Sequence, residues 1–281
     1  MLGKMIKHEF KATSRLYLPL FVITLVLTPI LALMLRVASD VGKNSVIGSI
    51  ITGVSIFGII IMLIALSVAS VLFVVIRFYK TIATSEAYLT FCLPVKPGSI
   101  LLSKLLVGVV WEVSAVIVTF LSLIILFTIQ GSSVVSDIMN AFDKVAPLIT
   151  AEYGSVVLFW IHICVVMLIS TVAGTLAFFL AICLGQLFNE HRVITSIVMY
   201  VAVYTVGQIV SLIGMLPLML IGNSKLKIGE ASFGEASFVN YDLDGIPAFW
   251  VFFMVMVLEI VLAAAYYLVS TIIIKKKINV R

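Results

Sequence analysis

Residues 50–76 read IITGVSIFGIIIMLIALSVASVLFVVI and carry no charge. As a helix this run is roughly 40 Å long, at about 1.5 Å per residue. The hydrocarbon core of a bilayer needs only about 20 helical residues. Lipid offers no partner to a bare N–H or C=O, so a run of this kind must satisfy its backbone internally, as a helix does. The polar sequence Arg77-Phe-Tyr-Lys80 follows at once and stops the run. This stretch sets the class of the chain: an all-α integral membrane protein.

Five further runs share its character. Together the spans lie near Leu16–Leu35, Ile50–Ile76, Leu105–Ile129, Ser155–Leu184, Val193–Ile221 and Ala248–Ile274. The second, fourth and fifth exceed the minimum, which predicts tilt, kinks or extension beyond the lipid. Pro19, Pro29 and Pro217 fall within spans, where each removes a helix donor. Composition agrees. Of the 281 residues, 63% are hydrophobic and 11% charged. A soluble domain carries about 25% charged residues, so a chain this poor in charge must turn much of its surface to lipid. It reads as one membrane domain over residues 1–281.

The basic residues set the orientation. Lys4, Lys7, Lys11, Arg15, Arg77, Lys80, Lys96, Lys104, Arg192, Lys275, Lys276, Lys277 and Arg281 fall on one side. Only Arg36, Lys43, Lys144, Lys225 and Lys227 fall on the other, among eight acids. The basic side is expected to be cytoplasmic and to hold both termini, in the cell membrane. Nucleic acid is not the expected partner, because no basic cluster is interleaved with aromatics.

Residues 1–15 place Lys4, His8, Lys11 and Arg15 at helical spacing, mostly opposite Leu2, Met5, Ile6, Phe10 and Thr13. That pattern predicts an amphipathic helix lying in the inner interface. A plain positive flank is a compatible reading. Residues 130–153 and 222–247 are polar and acidic and read as outer loops. The second repeats Gly-Glu-Ala-Ser-Phe at 229 and 234, too few copies for a solenoid. Cys92, Cys164 and Cys183 are scattered, two of them in apolar runs, and read as packing residues rather than metal ligands. Ala173, Ala177, Ala181 and Gly185 recur every four residues, a small-residue face that lets another helix approach closely.

The segment between spans two and three carries the most information. Thr84 or Ser85 can cap a short helix with Glu86 in its first turn, and Pro94 and Pro97 prevent its continuation. Such a helix would show Tyr88, Leu89 and Phe91 beside Glu86 to the cytoplasm, a surface suited to a protein contact. A connector resting on the bilayer is the alternative.

Residues 77–106 resemble the cytoplasmic loop of bacterial ABC-2 type permeases, the membrane subunits of ATP-binding-cassette exporters. The resemblance lies in Phe78-Tyr79-Lys80, Glu86-x-Tyr88-Leu89, Leu93-Pro94-Val95 and Ser103-Lys104-Leu105-Leu106. The start, Lys4 to Lys11, and the tail, Ile273 to Val280, are also similar to such chains. Ala87 stands where family members often have Gly, which favours helix. The resemblance implies that the short helix is a coupling helix. Glu86, Tyr88, Leu89 and Phe91 would meet a separate ATPase subunit, with Glu9 bracing the contact. It also implies pairing with a second permease copy or a homologous permease. ATP and Mg would reside on the ATPase, since this chain has no Gly-x4-Gly-Lys-Ser/Thr loop. The expected role is that of a transporter subunit and not an enzyme.

Two acids, Glu112 and Glu259, lie within spans. A carboxylate at that depth should face protein or a polar path. His162, Gln186, Gln208 or a tyrosine are candidate partners, and Glu112, Glu259 and His162 form a candidate polar set. Alternative functions follow from the same residues: an ion-coupled secondary transporter using Glu112 and Glu259, or a non-transporting scaffold or sensor.

Overall fold

The computed structural model describes residues 2–40, 46–83, 97–188, 192–221 and 248–277. They form seven helices: α1 (Leu2–Asp40), α2 (Val46–Ala83), α3 (Pro97–Gln130), α4 (Ser132–Tyr153), α5 (Val156–Gly185), α6 (Arg192–Ile221) and α7 (Ala248–Lys277). No strand occurs among the described residues. All but α4 are long and apolar enough to cross a bilayer. The chain is a multi-pass membrane protein. The start of α1 and the end of α7 lie at one end of the bundle, the terminal side, where Ile6, Leu101, Ile273 and Ile274 share one cluster.

The helices form two groups of three. In the first, α1 packs against both α2 and α3; in the second, α5 packs against both α6 and α7. The groups meet mainly where α5 touches α2 and α3. In α1 the buried residues Thr13, Tyr17, Phe21, Thr24, Thr28 and Ala32 fall three or four apart. They make one stripe along the helix, while Leu18, Val22, Val26 and Leu33 stay exposed. In lipid the apolar face is the outward one, so small and polar side chains mark the inward face. The core is concentrated toward the terminal side. Phe78, Ile82, Leu101, Leu105, Phe179, Leu180, Ile273 and Ile274 belong to it, and Ile6 packs against it.

Two expectations are revised. Residues 2–15 are not a separate helix; they are the opening turns of α1, which runs unbroken for 39 residues through Pro19 and Pro29. Their inward face is occupied by protein. Residues 130–153 are not a polar loop. They hold α4, a 22-residue amphipathic helix. Gly131 (φ 112°) and Gly154 (φ 74°) bracket it, both in backbone regions that favour glycine. The Gly154 N–H caps the helix by donating to the Thr150 carbonyl at 2.9 Å.

The small-residue face of α5 packs within the chain. Ala181 is buried, and Ala173 and Ala177 pack against the core. At Gly185 a Cβ would come within 2.8 Å of the Ser196 Cα, so α6 passes too close for any larger residue.

Candidate functional site

On the terminal side, α1, α2 and α3 converge on one carboxylate. Glu9 stands on the third turn of α1. Lys104 Nζ donates to its Oε1 at 2.6 Å, and Arg77 Nε donates to its Oε2 at 3.1 Å. Side-chain exposure is 5% for Lys104, 15% for Glu9 and 31% for Arg77. Lys104 is thus paired with Glu9 almost out of water, while Arg77 still reaches solvent. Breaking a buried ion pair is costly, so the carboxylate favours this arrangement of the three helices.

Hydrogen-bonded and stacked rings extend the joint. The Thr13 hydroxyl donates to the Glu9 carbonyl at 2.8 Å and accepts the Trp111 indole N–H at 2.8 Å. Trp111 stacks on Tyr17 at 4.7 Å between centroids, with planes 9° apart, and on Phe10 at 4.7 Å. Tyr17 is fully buried and donates its hydroxyl to the Ser70 carbonyl at 2.6 Å. Thus one face of α1 bonds α2 through Arg77 and Ser70, and α3 through Lys104 and Trp111. Among these groups lies a cavity of about 20 Å³, space for roughly one water. The second helix group attaches beside it: Phe78 stacks on Phe179 of α5 at 3.7 Å, with planes 6° apart.

The position of the cluster matters. Arg77 is within about two turns of Ala83, where α2 ends, and Lys104 is within about two turns of Pro97, where α3 begins. These are the two stems of the segment 84–96. Glu86, Tyr88, Leu89 and Phe91, with Cys92, lie outside the described residues. The structure places Glu9 directly between the stems.

The two intramembrane acids meet different residues of one helix. Both are held by hydroxyls of α5. Ser170 Oγ lies 2.7 and 2.6 Å from the two Glu259 oxygens, and Thr175 Oγ1 lies 3.3 Å from Glu112 Oε2. The expected amide partners are not used. Gln186 leaves its Nε2 buried without an acceptor, and Gln208 is exposed on α6. A short hydroxyl can sit directly across a helix contact, where a glutamine is too long to lie. His162 instead joins an aromatic group with Tyr153 and Phe252, at 5.9 and 6.1 Å between ring centres. His162 thus has other neighbours than the hydroxyls that meet Glu112 and Glu259.

The sequence pattern missed Arg77 and Lys104 as partners of Glu9, and Trp111 as the partner of Thr13. A helical stripe of polar and aromatic residues through Glu9, Thr13 and Tyr17 was the available signal. No group of His, Cys, Asp or Glu suited to a metal occurs among the described residues. The cluster ties α1 to α2 and α3 through charge and hydrogen bonds. Comparison with protein families, curated proteins and solved structures returns no match for this chain.

Proposed function

We propose that this chain is the permease subunit of an ATP-driven exporter, coupled through residues 84–96 to a separate ATPase. The observation that carries the reading is the bonding of Glu9 to Arg77 and Lys104. A segment that receives force from a partner needs stems that move as one body with the membrane helices. Glu9 supplies that bond to both stems, and Phe78 on Phe179 passes the contact on to α5. The resemblance of residues 77–106 to the loop of ABC-2 type permeases supplies the identity of the partner, by analogy.

In this reading Tyr88 and Leu89 seat in the ATPase, with Glu86 and Phe91 beside them. ATP-driven closure of two ATPase subunits displaces the stems, and α1–α3 follow. The pathway forms between two membrane subunits, with the basic terminal side in the cytoplasm of a bacterial cell. Glu112 and Glu259, each bonded to an α5 hydroxyl, serve as helix-to-helix polar contacts. The test is site-specific photo-crosslinking in intact cells. A photoreactive residue at 88 or 89 should capture an ATPase of the cassette type, and one at 138 on the opposite side should not. Capture of no ATPase from either loop position would remove the reading.

A further inference from the structure

We propose that α4 lies along the bilayer surface on the side opposite the termini, with one face in the acyl chains. The inference goes beyond transport and does not depend on the exporter reading. Val135, Ile138, Met139, Phe142 and Val145 are each 41–61% exposed. At about 100° per residue they fall on an arc of roughly 120°, the width of an ordinary apolar stripe. Ser136, Asp137, Asn140, Asp143 and Lys144 fall on the opposite arc and are exposed as well. The middle of α4, residues 135–145, is thus exposed on every side.

The ends of α4 decide what covers the stripe. Only Gly131 separates it from α3, and only Gly154 and Ser155 separate it from α5. Both neighbours cross the membrane, and both of those ends emerge on the same side. Each end also carries marks of the membrane boundary. At the first, Arg36 donates to the Ile129 carbonyl at 2.9 Å and Gln130 donates to the Ala32 carbonyl at 3.1 Å. At the second, Tyr153 meets Phe159, His162 and Phe252, with Trp160 and Trp250 nearby. Aromatic side chains of this kind gather at the headgroup level.

A helix of 22 residues is about 33 Å long. Held at both ends at one membrane surface, it can neither cross nor stand upright, so it lies along that surface. Its apolar arc then meets the acyl chains, continuous with the exposed apolar faces of the spans, and its acidic arc meets water. Asp137, Asp143 and Lys144 leave the polar face with an acidic balance. The surface therefore needs no anionic lipid, and neutral phosphatidylcholine suffices.

The test uses the full chain with its native cysteines replaced and single nitroxide labels on Ile138→Cys, Phe142→Cys, Asp137→Cys and Asp143→Cys. Each is reconstituted in phosphatidylcholine vesicles. Collision with oxygen, which partitions into lipid, is compared with collision with a water-soluble nickel chelate. The expected oxygen-to-nickel ratio at 138 and 142 exceeds that at 137 and 143 several-fold. Nickel access at 138 and 142 equal to that at 137 and 143 would place the stripe in water and overturn the proposal. Access to neither reagent would show protein, such as a second copy, on the stripe, and would overturn it too. All four sites are exposed, so the labels need not disturb the fold, and matched gel-filtration profiles check that they do not.

Discussion

Lys104 donates to Glu9 at 2.6 Å across 95 residues of chain. The contact joins the third turn of α1 to the beginning of α3, and it leaves Lys104 with almost no water. Glu9→Gln keeps the shape and removes the charge. Removing one partner of a buried ion pair costs about 3–5 kcal/mol, and the low end applies here because Arg77 remains partly solvated. The expected result is a clear fall in the thermal unfolding midpoint of the detergent-solubilised chain. Adding Lys104→Met should recover part of the loss, since the buried ammonium that faced Glu9 is then gone. An unchanged midpoint for Glu9→Gln alone would contradict the electrostatic account.

Trp111 contributes in two ways that substitutions can separate. Trp111→Phe keeps a ring on Tyr17 and removes the bond to Thr13, which should cost roughly 0.5–1.5 kcal/mol. Trp111→Ala removes the stack as well and should cost about 3–5 kcal/mol. Equal unfolding midpoints for the two variants would mean that the stacked rings add nothing.

Gly185 and Gly174 lie on the same helix in different settings. A Cβ at 185 would press on the Ser196 backbone at 2.8 Å, while a Cβ at 174 would meet nothing within 4 Å. Gly185→Ala should therefore destabilise by about 1–3 kcal/mol, because backbone must move. Gly174→Ala should be neutral or stabilise by up to about 1 kcal/mol, through lower chain entropy in the unfolded state. Thermal unfolding of both variants under one condition decides the matter, and a reversed order would refute the packing of α5 on α6.

Ser170 faces both carboxylate oxygens of Glu259. Ser170→Ala leaves that acid without its hydroxyl donor and should lower stability by about 1–3 kcal/mol. Ser170→Thr retains the hydroxyl and should cost less. If the Ala and Thr variants unfold together, the hydroxyl is not what holds α7 to α5.

Much of the fold was legible because lipid makes one demand above all others. Uncharged runs such as residues 50–76 are helices for want of any other way to satisfy their backbone, and all six were found. The boundaries were harder. Lys4, Lys7 and Lys11 look like a surface helix, and only the distant Arg77 and Lys104 reveal that Glu9 is held by protein. The helix α4 was hidden by composition: Asp137, Asn140 and Asp143 made the segment look like a loop. The period of Val135, Ile138, Met139 and Phe142 was nevertheless present. The hydroxyls of Ser170 and Thr175 that meet Glu259 and Glu112 were not among the candidates His162, Gln186, Gln208 or a tyrosine. Side-chain length across a close helix contact is not visible in one dimension. At Gly185 the four-residue spacing of small residues coincides with the close approach of Ser196.

The most direct test of coupling is co-purification from native membranes in mild detergent, with mass spectrometry of the stoichiometric partners. The account predicts that the full chain brings down an ATP-binding-cassette ATPase, and that Tyr88→Glu with Leu89→Glu loses it while remaining folded in the membrane. A chain that purifies without any such ATPase, or a doubly substituted chain that keeps it, would contradict the central claim.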